Sequence, residues 1–232
     1  MLAAAWDECP GPLLFARATA VPRESLIIRA MSETLTRRTE RRTRQRAANR
    51  TAILEAARRV AAREGAGALS LRAVAGEAGY APASVYEYFR NRAELVLALA
   101  AEDMGSLARA LRETAAGRES GPSTLAMSAK TALDLMRGSG ALPAAVATLE
   151  GGDAPPEAER LFNGRLIAAL TAFAEAAGHV PKTREEQGDV LLGAASVIGM
   201  AVLARAGRLK TLGLEEEALL ERLDRRFSAP IP

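Results

Sequence analysis

The sequence predicts an all-α protein of about nine helices, with a three-helix N-terminal domain containing a helix-turn-helix and a larger helical bundle behind it. Three observations carry this expectation. Ala, Leu, Arg and Glu, all good helix formers, are abundant. Apolar residues recur at three- and four-residue spacings between breaks marked by Gly and Pro. No stretch alternates apolar and polar residues for long enough to make a strand.

The elements follow in order. Residues 1–36 scatter Pro10, Pro12 and Pro22 among residues without a period and read as an unstructured extension, with Met31 as an alternative start. The run RRTERRTRQRAANR (37–50) holds seven Arg against one Glu. Alone it reads as a solvated helix end; before a DNA-binding unit it becomes a phosphate or minor-groove arm. Helical signals become strong from about 47, where Ile53, Ala56, Ala57 and Val60 share a face, and Gly65 and Gly67 end the helix. Ser70 is a good N-cap for a second helix carrying Leu71, Val74, Ala75 and Ala78, closed by Gly79. Pro82 suits the first turn of a third helix, about 82–89. Asn91, with Glu94 three residues on, starts a fourth helix whose stripe is Leu97, Ala100, Met104, Leu107 and Leu111. Further helices are expected at about 122–138, 141–150, 155–177, 183–206 and 214–228, bounded by Gly and Pro and, at Thr183 and Glu186, by a second capping box.

Composition bounds the function. The single Cys9 rules out an intrachain disulfide framework and suits a reducing cytosol. His179 is the only histidine, and after the helix-ending Gly178 it reads as a solvated loop residue. No Cys pair, no Glu-x-x-His motif and no phosphate-binding Gly loop occurs, so no metal, cofactor or catalytic constellation is expected and the chain reads as no enzyme. The opening MLAAAWDECPGP lacks a basic segment, and the longest uncharged run, 190–204, is 15 residues, short of the roughly 20 needed to cross a bilayer. A soluble cytoplasmic protein is the expectation. Charge is uneven: residues 31–100 hold 13 Arg against 7 Glu, whereas 101–232 hold 15 Lys and Arg against 18 Asp and Glu. The basic third is where a polyanion would bind.

All three tyrosines, Tyr80, Tyr86 and Tyr88, fall in GYAPASVYEYFRNR (79–92). Two short helices joined by a tight Gly-containing link have the form of a helix-turn-helix, whose second helix enters the major groove. On that helix Val85 and Phe89 are four apart and face the core, while Tyr86 points about 100° away. By itself the cluster is equally an amphipathic helix packed through its aromatics; the basic arm and Arg72, Arg90 and Arg92 favour DNA.

The ordered motifs ILEAA, SLRAVAGEAGYA, SVYEYF and NRAEL, within residues 53–99, resemble the DNA-binding domain of the TetR/AcrR family of transcriptional regulators. The resemblance implies that Tyr86 and Tyr88 contact phosphate, Tyr88 standing where the family usually has His. It places Arg72 where some members contact base or phosphate, and Ser84 where Ser or Thr touches DNA. Arg92 stands where the family usually has Lys and could neutralise a phosphate, and Pro82 and Ala83 would face base edges. Ala81 departs from the usual polar N-cap, a loss of ~1 kcal/mol at that helix end.

The implied organisation is an N-terminal extension (1–36), a basic arm and helix-turn-helix domain (37–107, helix-turn-helix about 70–89), and an effector-binding and dimerisation domain (108–232). The implied function is a sequence-specific regulator, a repressor released from a palindromic double-stranded operator by a small-molecule effector. The implied homodimer forms through about 183–206 and 214–228, with Leu191, Ala195, Ile198, Val202, Leu220, Leu223 and Phe227 as its apolar candidates. Met104, Met127, Met136, Phe162, Leu166 and Phe173 are the candidates for a largely apolar effector pocket, though each taken singly reads first as ordinary core, since Met and Leu fill cores everywhere. The alternative is a helical carrier or enzyme with a non-functional helix-turn-helix.

Overall fold

The computed structural model describes the backbone of residues 23–116, 124–137, 140–178 and 181–227, with side chains from residue 36 onward except Thr124. These residues form ten α-helices and no strand. They are α1 (Arg23–Glu64), α2 (Leu71–Ala78), α3 (Pro82–Tyr86), α4 (Arg92–Ala116), α5 (Thr124–Arg137), α6 (Ala141–Glu150), α7 (Pro156–Ala176), α8 (Arg184–Arg205), α9 (Arg208–Thr211) and α10 (Glu216–Phe227), with a 3-10 turn at Ala66–Ala68. Cys9 and His179 lie outside the described residues.

The chain divides at Ala47/Ala48 into two units. The described part of the first, residues 23–47, is helix throughout, exposed from 36 to 47. Glu40 and Arg44 pair across one turn at 3.7 Å, and the Thr43 hydroxyl donates to the Thr39 carbonyl at 3.0 Å. The expected unstructured extension to residue 36 is therefore corrected from Arg23 onward. Neither Gly nor Pro occurs between Arg23 and Glu64, and a helix already nucleated propagates through Arg, Glu, Ala and Leu without an apolar face to guide it.

In the second unit most boundaries follow local chemistry. The Ser70 hydroxyl accepts from the Ala73 N–H at 3.1 Å. Asn91 Oδ1 accepts from Glu94 N–H at 2.8 Å, while the Glu94 carboxylate reaches back to Arg90 N–H, one residue beyond the expected capping box, also at 2.8 Å. At α8 the box of Thr183 and Glu186 is complete. Helix α3 ends at Tyr86, three residues before the expected 89, and Tyr88 and Phe89 both donate to the Val85 carbonyl in the turn that follows. Helix α9 was not expected; buried Leu209 anchors its single turn.

Helix α4 is the central element. Its residues Leu95, Val96 and Leu99 belong to one continuous core with Ile53, Val60, Val74, Val85 and Phe89 of the head and with Leu133, Phe162 and Phe173 of the bundle. The expected domain boundary at 107/108 falls inside α4, which is shared by the parts on either side of it. Helix α4 packs against α5, α6 and, most extensively, α7. Both helices bury alanines, Ala98, Ala101 and Ala108 on α4 and Ala169, Ala172 and Ala176 on α7, and the Arg165 side chain of α7 lies against Gly105 of α4. Small side chains let two helix backbones approach closely.

Helix α8 packs against α5, α7, α9 and α10. By length and composition it is also the one described helix apolar enough to cross a membrane, which the count of uncharged residues alone did not anticipate. Gly193, Ala194, Val197 and Ala201 are buried in the fold, whereas Leu191, Leu192, Ala195, Gly199, Val202 and Leu203 are exposed.

Candidate nucleic-acid interface

The turn between α2 and α3 needs a left-handed residue. Gly79 supplies it at φ 71°, ψ 25°, and the Tyr80 N–H then bonds the Ala75 carbonyl at 2.9 Å. A side chain at Gly79 would be strained there. The chain emerges at Ala81, which caps α3 with no side-chain hydrogen bond, and Pro82 takes the first helical position. Val85 on this short helix and Phe89 in the turn after it are buried at 0 % and 1 % exposure and seat the segment on the core. Truncating Phe89 to Ala would cost about 3–5 kcal/mol.

The outer face carries most of the expected contacts. Pro82, Ala83 and Tyr86 are exposed, Tyr86 at 56 %, and Ser84 is half-buried. Arg72 is exposed in the first turn of α2. Two expected residues are differently engaged. Tyr88 is half-buried, and its hydroxyl oxygen accepts from Asn49 Nδ2 at 3.1 Å. Arg92 donates through Nε to the Leu69 carbonyl at 2.8 Å and through Nη2 to the Ala66 carbonyl at 3.0 Å, tying the start of α4 to the turn after α1.

Several residues of α1 hold this head together and were not foreseen. Asn49 Oδ1 accepts from the Tyr80 hydroxyl at 3.3 Å while its Nδ2 binds Tyr88. The Arg50 guanidinium lies 5.3 Å from the centre of the Phe89 ring, and its Nη1 is 3.9 Å from Glu102 of α4. Arg59 and Arg63 donate to the two oxygens of Glu77 on α2 at 2.7 and 3.1 Å. The Arg59 hydrogen bond, then that of Arg63, holds the Glu77 carboxyl below its ordinary value. Asn49 was readable in principle: it stands four residues before Ile53, on the buried face of α1.

Behind the head, Met104 and Met136 line a small cavity of about 30 Å³ with Leu107, Leu142 and Ile198, bordered by Asp103 and Arg205. That is space for a water or two. Of the other pocket candidates, Phe162 and Phe173 are core, Leu166 is half-buried and Met127 is exposed; none of the four lines this cavity. At the cavity edge, Asp103 meets Arg58 of α1 at 2.5 Å.

Residues 53–99 match the model of the bacterial regulatory proteins, tetR family. No curated protein sequence matches the chain. Among solved structures, a TetR transcriptional regulator from Rhodococcus sp. RHA1 is 18% identical, covers 81% of this chain and 100% of its own, and superposes with a TM-score of 0.60. The transcriptional regulator FadR from Bacillus subtilis, solved in complex with stearoyl-CoA, is 19% identical over 78% of this chain and 99% of its own, with a TM-score of 0.56. A protein of unknown function from Rhodococcus sp. RHA1 is 25% identical over 77% of this chain and 93% of its own, also at 0.56.

Proposed function

We propose, from the tetR-family domain that this chain carries at residues 53–99 and the regulator fold around it, that it is a sequence-specific DNA-binding repressor released from its operator by a small molecule. The observation that carries this reading is α3: a short helix seated by buried Val85 and by Phe89 in the turn just beyond it, presenting Pro82, Ala83 and exposed Tyr86 outward. A phenol hydroxyl and the exposed Arg72 suit phosphate, and small apolar residues suit the groove floor. The 13 Arg against 7 Glu of residues 31–100 supply the field that draws DNA in.

Residues 37–107 form the DNA-binding part in this reading and 108–232 the effector and dimer part, with α4 common to both. A second copy docks on the exposed stripe of α8, Leu192, Ala195, Gly199 and Leu203, where small residues permit close approach, and on α10. The two-fold pair then meets a palindromic operator in the cytoplasm. The effector enters beside Met104 and Met136. The FadR complex with stearoyl-CoA supports a ligand with an apolar chain, and a cavity of about 30 Å³ must open to admit one. Opening displaces α4 and strains the Arg58–Asp103 pair that links it to α1. To move the protein almost wholly from operator-bound to released, the ligand must prefer the released state by about 5 kcal/mol.

The test is selection of duplexes from a random pool, followed by anisotropy titration of the selected duplex and a scrambled one near physiological salt. Tight binding to the selected duplex alone supports a sequence-specific regulator. Equal, weak binding to both, or none, defeats the proposal.

A further inference from the structure

The geometry points to Asn49 as a positioning residue for DNA binding: its amide joins Tyr80 and Tyr88 into one bridge that fixes both ends of α3 on α1 and holds the Tyr88 hydroxyl for a phosphate. This inference rests on the DNA-binding reading above.

Tyr80 lies in the turn before α3 and Tyr88 in the turn after it. Asn49 uses its two amide ends in opposite senses, the oxygen accepting from Tyr80 at 3.3 Å and the nitrogen donating to Tyr88 at 3.1 Å. One side chain of α1 therefore grips the five-residue recognition helix at both ends. That helix needs such support. It is too short to be stable alone, and its N-cap, Ala81, contributes no side-chain hydrogen bond. The next residue, Arg50, adds a guanidinium over the Phe89 ring at 5.3 Å. The bridge also has a chemical consequence. A hydroxyl whose oxygen accepts a hydrogen bond is a better donor, and its rotor is confined. The bridge thereby sets where the Tyr88 hydroxyl stands, on a half-buried ring without a charge of its own.

The experiment uses the duplex that the full-length wild-type chain selects from a random pool. Wild type, Asn49→Ala, Tyr80→Phe, Tyr88→Phe and the Asn49→Ala/Tyr88→Phe pair are titrated by anisotropy, with thermal midpoints measured in parallel. Asn49→Ala and Tyr88→Phe should each weaken binding about five- to tenfold, and the double variant should bind more weakly than Tyr88→Phe alone by no more than the Tyr80→Phe loss. Tyr80→Phe, which keeps the ring and deletes only the oxygen that meets Asn49, should weaken binding in the same direction by less. Wild-type affinity in Asn49→Ala, or losses that multiply in the double variant, would overturn the inference and leave the DNA-binding reading standing. Should Asn49→Ala fail to fold, Tyr80→Phe decides, and unchanged affinity there overturns the inference. A pool from which wild type selects nothing overturns both.

Discussion

Tyr86 and Tyr88 are two positions apart and differ in surroundings: one is more than half exposed, the other half-buried against Asn49. Tyr86→Phe should therefore leave the thermal midpoint unchanged and weaken binding to a selected duplex about fivefold, the effect of one lost hydrogen bond, read by anisotropy. Glu77 gives a pH prediction. Its folded carboxyl is held below the ordinary 4.5, first by Arg59 and then by Arg63, so the clamp between α1 and α2 is complete above that value and is lost as pH falls through the folded value. The thermal midpoint of wild type relative to Glu77→Gln should be highest near neutrality and converge with it from about pH 4.5 downward; a difference that grows on acidification would contradict this. At this scale the sequence was legible where chemistry is local. Ser70, Gly79, Pro82 and Asn91 declare caps and a turn within four residues of themselves. The partners of Asn49 and of Arg92 were hidden, because they lie 23 to 39 residues away, and only the packed fold brings them together.

Helix α8 shows how much an element owes to its ends. Thr183 accepts from Glu186 N–H, and Glu186 reaches back to the Thr183 N–H. Thr183→Ala should cost about 1 kcal/mol, read as a lower denaturation midpoint with unchanged slope. The elements bounded by such signals, α5 to α8 and α10, lie within about two residues of where Gly, Pro and caps place them. Two elements escaped for opposite reasons. Helix α1 extends far upstream of its apolar stripe because nothing in it breaks a helix, so periodicity under-reports its length. Helix α9 has four residues, too few to show any period at all.

For the whole molecule, the proposed regulator depends on a second copy, and α8 supplies the test. Leu192 is 59% exposed on a stripe without charge. Leu192→Glu should yield a folded monomer by sedimentation, with circular dichroism unchanged and affinity for a full palindrome reduced toward that for a half-site. A dimer of undiminished strength would place the interface elsewhere. The exposed stripe also explains why α8 looks like a membrane span by composition: both its faces are apolar, one for the fold and one left outside it.

The extensive packing between α4 and α7 makes the two helices a single stiff beam. This is the most extensive helix pairing of the fold, with the Arg165 side chain of α7 against Gly105 of α4 and Arg112 of α4 3.8 Å from Glu175 of α7, so neither helix can shift without carrying the other or parting from it. A molecule that works by moving α4 must therefore leave its mark on α7 as well. Amide hydrogen exchange should rise or fall in both helices together when an effector binds. Change in α4 alone would mean that the seam slides and that the beam is no beam.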